Sequence, residues 1–279
     1  MAGSIAGHPG EDQASRARAS TRLDHATKLV KERRDLWVLK LYPDAGEAGG
    51  SFRWVGRGVA PEKSRCGDPE RAREVAERRA RGKLRRYVVA NDLRRLISCT
   101  YEGPGQHDAR ALRVDVGGFF RRLRYRTGGK QFSYAWVGEW HATGHGLHVH
   151  AGIGGYVPKG VVADAWGHGF IDIRLLGKRV AGVATLAEAR RAAGYLNKYV
   201  GKSLGEGLER GLHRYEVAQG FQPRSIEFVG LEDEQVLEQA SEYMGLPPEE
   251  VWRSDPEDWD GPPALWVAWS STARIKRES

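Results

Sequence analysis

The order of apolar and polar positions along the chain predicts strands and helices in alternation. Short runs with a two-residue period predict strands, and apolar residues spaced three and four apart predict helices. We predict strands at Leu36–Tyr42, Phe52–Gly56, Leu96–Tyr101, Phe132–His141, Leu147–Ile153, Phe170–Leu175 and Ala264–Trp269. We predict helices at Pro69–Val88, Asp108–Arg126, Val161–Trp166, Ala184–Ser203 and Leu231–Met244. Hairpin-linked strands interleaved with helices indicate an α+β fold with flanking helices on a central antiparallel sheet of about five strands.

Changes in periodicity and composition divide the chain into four segments. Gly46, Gly49 and Gly50 predict a turn between the first two strands, and Pro247–Pro263 predicts a loop. The segments are 1–34, disordered or loosely helical; 35–83, two strands and a basic helix appended to the core; 84–220, the core; and 221–279, an acidic extension that contains tryptophans.

Charge is unevenly distributed along the chain. The net charge is +8, but residues 227–260 carry twelve acidic residues and one arginine, so residues 1–226 hold about +17. So basic a segment suits a polyanion such as DNA, although a generally basic proteome would give the same balance. The candidate DNA contacts lie on two predicted helices, and a solvated helix face is the alternative for them. They are Arg78, Arg79, Arg81, Lys83, Arg85, Arg86, Arg121 and Arg122.

Several classes of site and compartment are disfavoured by what the chain lacks. No apolar run approaches 18 residues and the first 34 residues contain no apolar stretch like a signal peptide, so we expect a soluble cytoplasmic protein without a membrane partner. Two cysteines, Cys66 and Cys99, are too few for a disulfide framework or a cysteine-rich zinc module. Gly201-Lys202-Ser203 lacks the glycine that a phosphate-binding loop needs at position 196, so no ATP site is predicted.

A metal site is predicted on the hairpin of two neighbouring strands. Alternation puts His148 and His150 on one face of their strand. If the hairpin pairs His141 with Gly146, Glu139 lies opposite His148 on that same face. Two imidazoles and a carboxylate with open positions suit Mn²⁺ or Mg²⁺. Histidines that only pack, and an edge-strand glutamate, are the alternatives.

A later helix carries a second set of chemical groups. At about 100° per residue, Tyr195, Lys198, Tyr199 and Lys202 share one face within an arc of roughly 100°. Ala189, Leu196 and Val200 face the core on the same construction. A phenol is a poor nucleophile at its ordinary pKa, and a nearby lysine favours the phenolate and can bind a phosphate oxygen. Half-buried tyrosines with solubilising lysines are the ordinary alternative.

These residues together resemble the HUH superfamily of rolling-circle replication initiators, over about residues 84–215. Leu96–Tyr101 is similar to the first motif of that family, and Glu139 with Leu147-His-Val-His150 to the second, metal-binding motif. Tyr195-Leu-Asn-Lys-Tyr199-Val-Gly-Lys202 is similar to the third motif in its two-tyrosine form. The surroundings, with Trp166-Gly-His-Gly-Phe170, resemble replication proteins of actinobacterial plasmids and integrative elements.

The resemblance implies a fold and a mechanism. The fold is related to the RNA-recognition fold. A metal held by Glu139, His148 and His150 would polarise a scissile DNA phosphate, and Tyr195 or Tyr199 would attack it. The products would be a 5′-phosphotyrosine and a free 3′-OH that primes rolling-circle synthesis, with Lys198 and Lys202 stabilising charge. No helicase domain follows, so the expected partners are origin DNA, a host helicase and a polymerase in a bacterial cytoplasm.

Two alternative functions stay open on the sequence. One is a different HUH enzyme, a single-strand transposase or a relaxase. Relaxases usually place the tyrosine before the histidine motif and use three histidines, whereas this chain has the tyrosines after it and a glutamate. The other is a non-catalytic DNA-binding regulator, which the presence of every motif residue disfavours.

Overall fold

A computed structural model describes residues 34–55, 68–176, 186–202, 215–259 and 261–270. The predicted N-terminal segment up to residue 33 and Cys66 lie outside these residues. The α+β class is confirmed, with five α-helices and two five-stranded sheets among the described residues. The described residues divide into two compact units. One is drawn from the described parts of 34–41, 48–55 and 226–268, and the other from those of 42–47, 68–225 and 269–270.

The first unit contains a sheet that the sequence did not predict as a sheet. Its strands come from the two ends of the chain and lie in the order β8-β1-β2-β10-β9. Helix α5 follows β8 in the chain. The elements are β1 (Arg34–Tyr42), β2 (Glu47–Val55), β8 (Ile226–Gly230), α5 (Asp233–Met244), β9 (Glu250–Arg253) and β10 (Ala264–Ala268).

Two details of this sheet correct the sequence prediction. The turn between β1 and β2 is a single 3₁₀ turn at Pro43–Ala45, closed by Gly46 with a φ of 62°. Gly49 and Gly50 lie inside β2 instead. A side chain at Gly50 would overlap the Val38 carbonyl oxygen of the neighbouring strand, which explains the glycine there. Likewise, Pro247–Pro263 is not all loop, since β9 pairs antiparallel with β10 there.

The second unit is built on the predicted central sheet. Its strand order is β6-β3-β5-β4-β7, and each pairing is antiparallel. Strand β7 was not predicted. The elements are α1 (Pro69–Ala90), β3 (Arg95–Tyr101), α2 (Ala109–Arg126), β4 (Tyr134–Trp140), β5 (Leu147–Ile153), α3 (Lys159–Trp166), β6 (Gly169–Leu175), α4 (Leu186–Lys202) and β7 (Glu216–Val217).

Helices cover both faces of this sheet. Alternate residues of β3 and β5, such as Ile97 and Val149, pack with α2 and α3 in one apolar cluster. Side chains on the other face of the sheet, such as Leu96 of β3 and Val137 of β4, pack with α1 and α4 in a second cluster. The two-residue period of the strands therefore sorts side chains into two layers. The layer that contains α4 lies on the sheet face of Glu139, His148 and His150.

The two longest helices begin at the residues that the sequence indicates. Asp68 accepts a hydrogen bond from the Glu70 amide at 2.8 Å, and Asp108 accepts one from the Arg110 amide at 2.7 Å. Each aspartate thus satisfies an amide that the first turn of its helix leaves free. No helix in the described part of the chain has the length and apolar character needed to cross a bilayer.

Candidate metal and tyrosine site

The hairpin of β4 and β5 has the predicted register. The His141 amide donates to the Gly146 carbonyl oxygen at 2.8 Å, and Glu139 pairs directly with His148. Gly146 allows this turn because its φ is 92° and a Cβ there would lie 2.5 Å from the Gln106 carbonyl oxygen. Glu139, His148 and His150 consequently lie on one face of the sheet, as the sequence predicts.

Two hydroxyls of β3 hold the imidazoles; the sequence matched this strand to the first motif of the resembled family but assigned neither hydroxyl a role. The Ser98 hydroxyl oxygen lies 3.1 Å from Nδ1 of His150, and the Thr100 hydroxyl oxygen lies 3.3 Å from Nδ1 of His148. Both contacts engage the same ring nitrogen, which leaves Nε2 of each imidazole for another partner. A hydrogen bond to one ring nitrogen fixes the ring and its tautomer, as is usual for histidines that bind metals.

The Nε2 atoms have surroundings that suit a cation. Nε2 of His150 donates to an Oε of Glu139 at 3.1 Å, so a nitrogen and an oxygen that can both bind a metal lie close together once that proton is lost. Nε2 of His148 is buried and has no hydrogen-bond partner among the described residues. Burial, followed by the neighbouring His141, His150 and His145, lowers the pKa of His148 to about 4, although Glu139 opposes this. The His148 ring is therefore neutral at pH 7 and its lone pair is available to a metal.

The three side chains are not arranged as a closed metal cage. Within the described ranges, no three His, Cys, Asp or Glu side chains form a group arranged to hold a metal. The His148 ring lies flat on the exposed His141 ring, with ring centroids 4.2 Å apart and planes at 16°. The predicted ligand set is thus assembled on one sheet face, and a bound metal stays a prediction.

Helix α4 brings its tyrosines to these histidines. The Tyr199 ring stacks on the His150 ring, with centroids 3.7 Å apart and planes at 11°, and Tyr195 lies edge-on to Tyr199 at 5.2 Å. Leu196 and Val200 are fully buried in the cluster beneath α4, as predicted. The two phenols and the imidazole pair therefore occupy one place in the fold.

The two phenols differ in exposure. Tyr199 is only 8% exposed, whereas Tyr195 is partly exposed. Burial raises the pKa of Tyr199 most, and the hydrogen bond with Tyr195 and the charge of Glu139 raise it further. The Tyr199 hydroxyl is therefore protonated at neutral pH, and a nearby cation would favour its ionised form.

A cation outside helix α4, which the sequence did not indicate, also acts on the tyrosines. Arg174 on β6 acts electrostatically on both Tyr195 and Tyr199, and its Nε donates to Asp172 at 2.8 Å. Lys198 is exposed and the Lys202 side chain lies outside the described residues. Register explains the position of Arg174, since β6 pairs with β3 and Arg174 lies opposite Leu96 on the tyrosine face.

Some of the predicted DNA contacts instead serve the fold. Arg85 and Arg86 both bind the Glu47 carboxylate, whose side chain is only 3% exposed. Arg122 donates to the Ala165 and Trp166 carbonyl oxygens at the end of α3, at 2.7 and 3.0 Å.

The remaining predicted contacts lie on the surface. Arg81 forms an ion pair with Glu77 one turn away, and Arg78 is exposed on the same helix. Arg79, Lys83 and Arg121 are exposed and accessible to a polyanion.

The region that carries this site resembles a known family. Residues 94–204 match a family model whose description begins "Replication-associated protein ORF2". The match is shorter than half the chain and runs from the start of β3 through α4, so it contains the histidines and the tyrosines but not α1. It supports a role in the initiation of replication and, with it, DNA binding. No curated protein and no solved structure matches the chain.

Proposed function

We propose that the protein nicks single-stranded DNA at a replication origin and retains the strand on a tyrosine. The observation that carries this proposal is the stacking of Tyr199 on His150 at 3.7 Å, beside the contact of His150 with Glu139. This stacking supports the proposal because a phenol lies beside nitrogen and oxygen atoms of the kinds that bind divalent cations, within the region that matches a replication-associated family. The resemblance to two-tyrosine HUH initiators agrees with this arrangement.

The reaction is a transesterification at phosphorus. The phenol oxygen of Tyr199 or Tyr195 bonds to the scissile phosphorus, and the bond from phosphorus to the 3′ oxygen breaks. The phenol loses its proton, and the departing 3′ oxygen gains one. The products are a 5′-phosphotyrosine and a free 3′-OH, and the second tyrosine performs the terminating transfer. The phosphoester bond is conserved, so religation needs no ATP.

Other residues of the site would bind the metal, fix the imidazoles and stabilise charge. Glu139, His148 and His150 would hold Mn²⁺ or Mg²⁺, which would supply Lewis-acid polarisation of the phosphate. Ser98 and Thr100 fix the two imidazoles through their Nδ1 atoms. Arg174 supplies positive charge that acts on both phenols, and Lys198 at the surface of α4 is available to a phosphate oxygen.

The direct test detects the covalent intermediate. The full chain is incubated with Mn²⁺ and a hairpin-containing single strand of its origin, labelled at the 3′ end, and resolved on a denaturing gel. We expect label at the size of the protein, and none after EDTA. The same strand labelled at the 5′ end should give a shortened free fragment, because the nick leaves that side with a 3′-OH.

Substitutions test the roles of the two tyrosines and of His148. Tyr195→Phe and Tyr199→Phe should each lose a different step, the double variant should form no adduct, and the exposed Tyr125→Phe on α2 serves as the matched control. His148→Ala should abolish cleavage and leave DNA binding largely intact. Cleavage by the double tyrosine variant would refute the nucleophile assignment, and loss of DNA binding in His148→Ala would make the role of that histidine structural.

The charge of Arg174 gives a further prediction. Arg174→Gln should slow adduct formation on the order of tenfold, because the phenolate and the phosphate lose a nearby cation. Arg174→Lys keeps the charge and should retain most of the rate, measured in single-turnover reactions at saturating protein. Equal rates for wild type and Arg174→Gln would show that this arginine has no part in the reaction.

A further inference from the structure

A second concave site lies in the same unit, away from the histidines and tyrosines. It is a cavity of about 520 Å³ between the C-terminal half of α2, the first residue of β4 and the loop that follows β7. That volume is in the range of sites that bind small molecules and cofactors. Its side chains include Arg121, Arg124, Phe132 and Phe221.

This cavity is separate from the proposed nicking site. Tyr134, which lines the cavity, and Glu139 are five positions apart on β4, so their side chains lie on opposite faces of the sheet. They also stand at opposite ends of that strand. No residue given a role in the nicking reaction lines the cavity.

Aromatic rings form part of the cavity wall. Phe120 and Tyr134, which both line the cavity, are stacked, with ring centroids 3.6 Å apart and planes at 7°. Phe132 and Phe221 are only partly buried, so a face or an edge of each ring is available to a ligand. A planar aromatic group such as a nucleobase can stack on rings of this kind.

Two cations complete the lining. Arg121 and Arg124 are exposed, and neither has an acidic partner in the described part of the chain. Other arginines of α2 are engaged, since Arg113 pairs with Glu216 and Arg126 with Asp164. The arginines at the cavity therefore remain available to an anion, and a bidentate guanidinium contact suits a phosphate.

We infer that this cavity binds a nucleotide of single-stranded DNA outside the nicked position, with the base on Phe132 and Phe221 and its phosphate on Arg121 and Arg124. The inference rests on the proposed function only in taking DNA as the polyanion. Aromatic rings beside arginines that have no acidic partner are the combination that binds single strands through stacking and backbone charge. The cavity would hold the strand while the distant tyrosines act.

Photo-crosslinking locates the ligand without any chemistry at the tyrosines. The full chain, in EDTA, is irradiated with an oligonucleotide that carries 4-thiothymidine at successive positions, and the adducts are mapped by mass spectrometry. We expect adducts on peptides that contain Phe132 or Phe221. Adducts confined to other peptides would overturn the inference.

Affinity measurements with matched variants give the second test. Arg121→Ser with Arg124→Ser should weaken binding of a fluorescent oligonucleotide and reduce the slope of log K against log salt by about 0.7 for each phosphate that the protein no longer neutralises. Phe132→Leu keeps the apolar character and should weaken binding about 5- to 100-fold, because a leucine cannot stack on a base. Arg126→Ser with Lys130→Ser removes the same formal charge at residues that do not line the cavity and should have the smaller effect.

The outcomes separate this inference from the nicking proposal. If the cavity variants bind as tightly as the control pair, the cavity inference fails, whether or not the tyrosine adduct forms. If no tyrosine adduct forms but the thymidine crosslinks fall on Phe132 or Phe221, the nicking proposal fails and the cavity inference stands.

Discussion

At the scale of single residues, the Thr100 hydroxyl has one evident task, which is to hold Nδ1 of His148. We predict that Thr100→Val lowers the affinity for Mn²⁺ by about 10- to 100-fold, because the imidazole loses the partner that fixes its tautomer. The measurement is a titration of the full chain with Mn²⁺ followed by electron paramagnetic resonance. Thr100→Ser keeps the hydroxyl and should bind nearly as the wild type does; unchanged affinity in Thr100→Val would contradict this role.

Single residues of the site differed in how far sequence could place them. Glu139 could be positioned opposite His148, because a short hairpin fixes its own register. Ser98, Thr100 and Arg174 could not, because their neighbours lie on strands that are distant in sequence and whose pairing depends on the whole sheet. The cations predicted from the sequence were therefore lysines of the same helix, and Arg174 on another strand adds a cation that the sequence did not indicate.

At the scale of elements, helix α1 has two kinds of basic residue. Arg85 and Arg86 bind the buried Glu47 carboxylate, whereas Arg79 and Lys83 are exposed. We predict that Arg85→Ser with Arg86→Ser lowers the free energy of unfolding by about 3–5 kcal/mol, because a buried carboxylate loses both partners. Urea denaturation measures this.

The surface pair on α1 is the matched control for that experiment. Arg79→Ser with Lys83→Ser makes the same change in charge and should alter the unfolding free energy by less than about 0.5 kcal/mol. If this pair contacts DNA, the slope of log K against log salt also falls. Similar unfolding free energies for the two double variants would show that the ion pairs of Arg85 and Arg86 with Glu47 do not stabilise the fold.

The elements also show where local patterns misled. Glycines in a row suggested a turn, but Gly50 belongs inside β2 because the neighbouring strand approaches too closely for any side chain. Strand β9 was predicted as loop because prolines and acidic residues surround it, and its pairing with β10 is not visible in a local pattern. Helices were predicted within a few residues of their observed ends, since capping residues and apolar spacing are local signals.

At the scale of the whole molecule, the acidic C-terminal strands and helix of the first unit are held by ion pairs of their own. Asp233 on α5 accepts a hydrogen bond from Arg253 on β9 at 2.6 Å. Burial opposes ionisation of this carboxyl, but the hydrogen bonds and the positive charge of Arg253 outweigh it and lower the pKa of Asp233. The ionised carboxylate therefore stabilises the folded unit.

The sign of this shift sets the pH dependence. The pKa of Asp233 in the folded state is below its unfolded value of about 4. The stabilisation is therefore complete above the unfolded pKa and is lost as the pH falls through the folded pKa. We predict that Asp233→Asn lowers the free energy of opening of α5, measured by hydrogen exchange at pH 6, by about 1 kcal/mol. At low pH the substitution should have little effect. The exposed Glu238→Gln on the same helix should match wild type at pH 6; equal exchange in both variants would contradict the prediction.

Arg190 joins helix α4 to two residues that lie outside the family-matched region. Its guanidinium donates to the carbonyl oxygens of Gly46 and Trp269 at 2.9 and 2.7 Å, and the Trp269 amide donates to Gly46. The helix that bears both phenols is thus fastened to residues far outside 94–204. A fragment cut to the family-matched region would keep every proposed reactive group yet lose this anchor, so we expect trimming to slow the proposed nicking before it removes any proposed ligand.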